Sequence, residues 1–323
     1  MYTARILTAA LATMQGVHAQ SWTNLTTLPG TLQEHITIRL SHTKIATLGG
    51  LVKNGSTTNQ VLIYDLTTSL WKQAAPMPVA LNHPNALIHD GRVYVLGGLS
   101  GAKGWPPSLN SSVYDPHHDT WTALAPVPAA IAKGSAASAV NNGTIYLAGG
   151  ILNVYGDTVN TVTAYHIPSN KWIEVPPAAA HLPGGRDHMG YAQIGTKWYV
   201  VGGRENGATS TKDTVFILDL LDISAGWKTG AGKMPTPRGG ISAAAVGTNI
   251  FTFGGEGNTA SPQGVFNNTE VYDVVSDTWA TLPPMDVPRH GTSAVSIGGK
   301  VYIPGGAILQ GEGGVDVFTV FTP

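Results

Sequence analysis

Cysteine is absent from the 323 residues. That excludes disulfides, thiolate metal ligands and a cysteine nucleophile, so the folded state must rest on its apolar core. Charge is scarce as well: Asp, Glu, Lys and Arg make up 11% of the chain, with 18 basic residues against 19 acidic ones. So even a balance gives no electrostatic case for nucleic acid or an anionic membrane. The apolar run Ile6 to Met14 is too short to span a bilayer. Local signatures of Ser–His–Asp catalysis are missing too.

Glycine, by contrast, is plentiful and periodic. Pairs occur at Gly49-Gly50, Gly97-Gly98, Gly149-Gly150, Gly202-Gly203, Gly254-Gly255 and Gly305-Gly306, spaced by 48, 52, 53, 52 and 51 residues. A period near 50 with fixed internal grammar marks a propeller or a repeat array. The fifth repeat shows the grammar: an apolar run Ile241 to Val246, a turn at Gly247-Thr248-Asn249, and a second run Ile250 to Phe253 ending at Gly254-Gly255. After a polar loop come Glu270 to Val274 and then Trp279 to Pro284. These short β-rich runs bounded by turn residues read as four antiparallel strands.

Tyr64 to Trp71, Tyr114 to Trp121, Tyr165 to Trp172 and Tyr272 to Trp279 all span seven residues. In the fourth repeat Leu218 replaces the tyrosine and Trp227 lies nine residues on, which predicts a two-residue insertion in the outer turn. This grammar resembles the Kelch repeat over residues 20 to 323. The resemblance implies an all-β, six-bladed β-propeller, a scaffold that serves protein binding, small-molecule binding or catalysis. It also points to the galactose oxidase superfamily, but the Cys–Tyr crosslink of that copper-radical site cannot form here. The iron motif of plant Kelch specifier proteins, Glu-x-x-x-Asp-x-x-x-His, is met by Glu312 and Asp316 and broken by Val320.

The sixth repeat ends without a fourth strand or a Trp. Ser21 to Pro29 matches Thr120 to Pro128 in pattern, so the N-terminal strand is expected to close the last blade. An open solenoid of five and a half blades would leave an exposed edge instead. Residues 1 to 19 read as a secretory signal: Arg5, the short apolar run, and Val17-His18-Ala19 before Gln20. Sequons at Asn24, Asn54, Asn110, Asn142 and Asn267 fit secretion with N-glycosylation of an extracellular monomer.

A gapless alignment on the Gly pairs brings Gln33, Leu81, Lys133, Arg186, Arg238 and Arg289 into register sixteen residues upstream. Two residues on come His35, His83, Ser135, His188, Gly240 and Gly291. Arg204, Glu205, Asn206 and Glu256 follow the Gly pairs and belong to the same face. Arg186, Arg204, Arg238, Arg289 and Lys133, with His35 and His83, are candidates to hold a small anionic or enolisable ligand through bidentate guanidinium contacts. Glu205, Glu256, His188 and His290 are candidates to move a proton, as in a cofactor-independent isomerase, epimerase or cyclase. Two other readings stand beside this one. The cations can form structural ion pairs between blades, and the propeller can be a non-catalytic binder of a protein or glycan, with Trp105-Pro106-Pro107 as a stiff aromatic loop. No resident metal or cofactor is expected. Arg39, whose aligned counterparts are Leu87, Ala139, Ala192, Ala244 and Val295, is expected either in the axial channel or snorkelling to solvent.

Overall fold

The computed structural model describes residues 20–323 apart from 102, 103, 154 and 156. The signal-peptide expectation falls on residues 1–19 and lies outside the described residues. Six four-stranded antiparallel sheets form the blades of a closed propeller. From the axis outwards, blade one comprises Ile36–Arg39, Lys44–Leu48, Val61–Asp65 and Leu70–Gln73. Blade four comprises Gly190–Ile194, Lys197–Val201, Val215–Asp219 and the short Lys228–Thr229, with a 3-10 turn at Ile223–Ala225 taking up the extra outer-turn residues. Blade six is Val295–Ile297, Lys300–Pro304 and Phe318–Thr322, completed by Ser21–Asn24. The closing strand pairs Ser21 with Thr322 and Asn24 with Thr319, so no outer edge of that blade is left short.

Six apolar clusters hold the ring, one at each blade interface. The Tyr–Trp pairs sit directly opposite one another on the two outer strands, with ring centroids 5.0 Å apart for Tyr64–Trp71 and 5.2 Å for Tyr272–Trp279. Their polar ends tie each blade to the one before it. Trp121 Nε1 donates to the Ala75 carbonyl at 2.9 Å, and Tyr114 donates to Asp119, whose Oδ1 also accepts from the Ala75 amide. Trp172 with Ala125, and Trp227 with Ala179, repeat the arrangement. In blade four, where the tyrosine is missing, Trp198 fills the place beside Trp227 at 5.2 Å.

The Gly pairs are dictated by close approach. A Cβ on Gly254 would lie 2.1 Å from the Arg289 carbonyl of the next blade, and one on Gly50 would lie 2.5 Å from the Gln33 carbonyl of its own. Both take positive φ, which a side chain resists.

Blade one departs from the gapless alignment by one residue. Its inner hairpin turns through Ser41–Thr43, closed by the Leu40 amide on the Lys44 carbonyl, where blade two turns through Asp90-Gly91 alone. Glu34, not His35, therefore shares the place of His83, Ser135, His188, Gly240 and Gly291, and all six have positive φ. His35 joins the buried layer below. For the same reason Arg39 aligns with Ile88, Val140, Gln193, Ala245 and Ser296, each opposite its second-strand partner in the same register.

Candidate functional site

The six positive-φ residues form a belt around the axis. Glu34 N donates to Gly291 O, Gly291 N to Gly240 O, Gly240 N to His188 O, Ser135 N to His83 O and His83 N to Glu34 O. The sixth link runs through a side chain: His188 N donates to Ser135 Oγ at 3.2 Å. The belt sits at the end of the axis that carries the Gly pairs. It fixes the backbone from which Glu34, His83 and His188 project, while glycine in blades five and six keeps their space open. A Cβ on Gly291 would lie 2.4 Å from Glu34 Oε1.

Below the belt an axial cavity of about 470 Å³ follows the innermost strands. Glu34, His83 and His188 line one end; Arg39, Gln193 and Ser296 line the other, with alanines and branched aliphatics between. Arg39 faces both ways: it borders the cavity, is exposed, and contacts His42 Nδ1 at 3.0 Å.

The side chains converge tightly at the belt. Glu34 Oε2 is 3.0 Å from His83 Nε2 and 3.9 Å from His188 Nε2, and the two Nε2 atoms are 3.0 Å apart. His83 Nδ1 lies 2.7 Å from Asn82 Oδ1, and Asn82 Nδ2 donates to Thr57 Oγ1 at 2.8 Å. His188 Nδ1 lies 2.7 Å from Asp187 Oδ1. Asp187 also accepts from Arg204 Nε at 2.9 Å and from the Thr158 hydroxyl. Arg204 Nη1 donates to Glu256, which takes a second bond from the Gly311 amide at 3.2 Å. His290 donates through Nε2 to the Leu309 carbonyl at 2.8 Å, leaving Nδ1 3.7 Å from Glu34 Oε1 and 3.6 Å from Glu256 Oε1.

Ionisation follows these contacts. Burial raises the Glu34 pKa, but the imidazoles of His83, His188 and His290 outweigh it and hold the carboxyl well below its usual range. Asp187 is likewise lowered: burial opposes the shift, and His188 and Arg204 override it. Burial and the nearby Arg204 lower His188, although Asp187 pulls the other way.

The cationic layer sits elsewhere. Lys133, Arg186, Arg238 and Arg289 run inside their own blades and none lines the axial cavity. Lys133 Nζ donates to the carbonyls of Leu147 (3.2 Å) and Thr161 (2.6 Å). Arg186 donates to Thr214 Oγ1 at 2.7 Å and lies over the Phe216 ring, 4.6 Å from its centroid. Arg238 reaches Gly254 O at 2.6 Å and Glu270 Oε2 at 2.5 Å, and Arg289 reaches the Ile303 carbonyl and the Thr319 hydroxyl. Lys133, Arg238 and Arg289 each clamp the second and third strands together where they leave the Gly pair, whereas Arg186 contacts only the third-strand side. Burial drops Lys133 to about 7 and Arg186 and Arg289 to about 10. Burial also lowers Arg238, with Glu270 opposing.

The structure thus brings His83, His188, His290, Glu256 and Arg204 together and leaves Glu205 outside, half-exposed and paired with Lys212 at 2.9 Å. His35 is buried beneath the belt, and burial lowers its pKa to about 4 against the pull of Glu34. Sequence reasoning did not place Glu34 on the belt or assign Asn82, Asp187 and Thr158 as supports. One signal was available: the blade-one hairpin lacks the Gly found at every other inner turn. Among the sequons, Asn24, Asn54, Asn142 and Asn267 are exposed, while Asn110 is partly buried.

The KLHDC2/KLHL20/DRC7 Kelch-repeats domain matches residues 86–306. The chain belongs to the Kelch-repeat family. Among its Kelch relatives, Kelch-like protein terF of Aspergillus terreus is 38% identical over 302 residues, covering 90% of this chain and 64% of the relative. Beta-scruin of Limulus polyphemus is 28% identical over 253 residues, covering 77% of this chain and 26% of the relative. Human Kelch domain-containing protein 3 is 26% identical over 249 residues, covering 71% and 64%. This Kelch chain spans less than two thirds of the length of each of these relatives.

Proposed function

We propose that this Kelch propeller is a binding module that engages a protein partner through the face carrying the Gly pairs. One observation carries the reading. Exposed apolar side chains stand on that face on opposite sides of the axis, Leu152 and Tyr155 on blade three and Ile308 and Leu309 on blade six, with the polar belt recessed between them. Tyr155 is 84% exposed, and Trp105 stands beside His83, ring centroids 5.8 Å apart. Exposed apolar side chains grouped on one face are what a protein partner buries on docking. The kinship with Kelch proteins agrees with this. Affinity capture with wild type, Tyr155→Ala/Leu309→Asp and the opposite-face variant Leu221→Asp tests it. A partner held by wild type and Leu221→Asp but lost by the rim variant supports the reading; equal retention by all three overturns it.

The axial cavity favours a second reading, a small enolisable ligand bound beneath the belt with His188 or Glu34 as proton acceptor, as in an isomerase. Thermal-shift screening with keto acids and neutral carbonyl compounds, compared between wild type and His188→Gln, tests it. Stabilisation that survives the substitution counts against it. Secretion with glycosylation at the exposed sequons belongs to the same proposal, and a mobility shift on deglycosylation of the natively expressed protein checks it.

A further inference from the structure

We propose that Glu34, His83 and His188 form a binding site for one divalent transition-metal ion at the Gly-pair end of the axial cavity. Their ligand atoms lie within 4.8 Å of one another, and the side chains are 10%, 5% and 5% exposed.

The tautomers decide the matter. Asp187, a carboxylate that only accepts, lies 2.7 Å from His188 Nδ1, so that nitrogen carries the proton. Asn82 Nδ2 is committed to Thr57 Oγ1, which turns Asn82 Oδ1 towards His83 Nδ1 and places the proton there too. Both Nε2 atoms then present bare lone pairs to each other at 3.0 Å, with Glu34 Oε2 facing them. Three lone-pair donors aimed at one buried point repel unless a cation stands between them.

Pinning of the far ring nitrogen by a carboxylate or amide is the arrangement that orients metal-bound histidines. Two imidazoles and one carboxylate suit zinc, iron, cobalt or nickel rather than magnesium or calcium. All three side chains line the cavity, so the remaining coordination positions open into it.

Charge points the same way. Glu34, Asp187 and Glu256 carry three negative charges in this cluster against the one guanidinium of Arg204. With neutral imidazoles two negative charges remain, which one divalent ion balances. Arg204 is anchored beside the point: its Nε and Nη1 are held by Asp187 and Glu256, and its third nitrogen, Nη2, makes a long 3.3 Å bond to His188 Nε2 that an ion would displace.

Metal-free protein is titrated with Zn²⁺ and Co²⁺ by calorimetry, with Mg²⁺ and Ca²⁺ as controls. One Zn²⁺ or Co²⁺ per chain is expected, with Co²⁺ giving the visible absorption of nitrogen–oxygen ligation. His83→Ala and His188→Ala abolish binding. Asp187→Asn weakens it by about ten- to hundredfold. His117→Ala/His118→Ala, which removes an exposed histidine pair elsewhere, leaves it unchanged. No tight ion in wild type, or binding that survives both single substitutions, overturns the proposal. Should the alanine variants lose their circular-dichroism spectrum, X-ray absorption of the zinc-loaded wild type decides. Two imidazole nitrogens and a carboxylate oxygen support the site, and fewer than two imidazoles sink it. A shared proton in place of an ion would appear as wild type that binds no metal.

Discussion

Arg238 and Glu270 separate a structural cation layer from a ligand-binding one. Both side chains are fully buried, and Nη1 is 2.5 Å from Oε2. The guanidinium also serves Gly254 O, Thr236 O and Thr252 Oγ1. Arg238→Met leaves a carboxylate buried without a counter-ion, which costs about 3–5 kcal/mol. Three acceptors lose a donor at the same time, at about 1 kcal/mol each, so the upper end of that range is expected. Glu270→Met strands the guanidinium and costs a similar amount. In Arg238→Met/Glu270→Met both charges are gone and the volume is kept. Only the acceptor loss then remains, so the double variant is expected to lose about 3 kcal/mol, several kcal/mol less than the summed losses of the singles. With an unfolding entropy of ~2.1 cal/mol/K per residue, a loss of ~4 kcal/mol in a propeller of this size lowers Tm by about 6 °C. Urea unfolding of all four proteins measures the cycle. Single variants within about 1 kcal/mol of wild type, or strict additivity, would refute the structural assignment.

Other expectations follow from burial and geometry. Lys133, at about 7 when folded and near 10.5 unfolded, binds fewer protons in the native state across that window, so it makes stability rise with pH between them. The slope is up to about 1.4 kcal/mol per pH unit, and Lys133→Met removes it, read as the difference between the two urea-unfolding profiles. His35, at about 4 folded and 6.5 unfolded, has the same sign at lower pH: its contribution is complete above 6.5 and lost as pH falls towards 4, and His35→Phe flattens that limb. Gly291→Ala forces a Cβ to 2.4 Å from Glu34 Oε1 at φ +60°, and its unfolding free energy falls by more than the ~1–2 kcal/mol of left-handed strain alone. Gly195→Ala, with open space around it at φ +59°, shows only the strain. Deleting residues 20–24 bares the strand Phe318–Thr322 and removes Trp22 from Phe253 and Phe321, so light scattering should report aggregation that wild type lacks.

The ring itself was legible because backbone crowding leaves glycine no substitute at the pairs, and because Tyr and Trp recur where blades dock. Closure by the N-terminal strand was legible for the same reason: Trp22 supplies the piece that the sixth repeat lacks. The belt was harder. A three-residue turn at Ser41–Thr43 shifts blade one by one position, and alignment through it put His35 where Glu34 stands. Nor does sequence register say which way a long side chain points. Lys133, Arg186, Arg238 and Arg289 share a position and all turn into their blades, where Lys133, Arg238 and Arg289 donate to strand carbonyls and Arg186 to the Thr214 hydroxyl. The asymmetry of charge towards blades four to six was visible in the chain. Its meaning was not, since Asp187, Arg204 and Glu256 meet Glu34 and His83 only across the axis.

That the binding chemistry of this propeller sits on the axial belt and not in its cationic layer is tested most directly by anomalous diffraction at the zinc edge, from crystals grown with Zn²⁺. The account predicts one strong peak within bonding distance of Glu34 Oε2, His83 Nε2 and His188 Nε2. A belt without a peak, or zinc found only at surface groups such as Asp115 and His118, would contradict it.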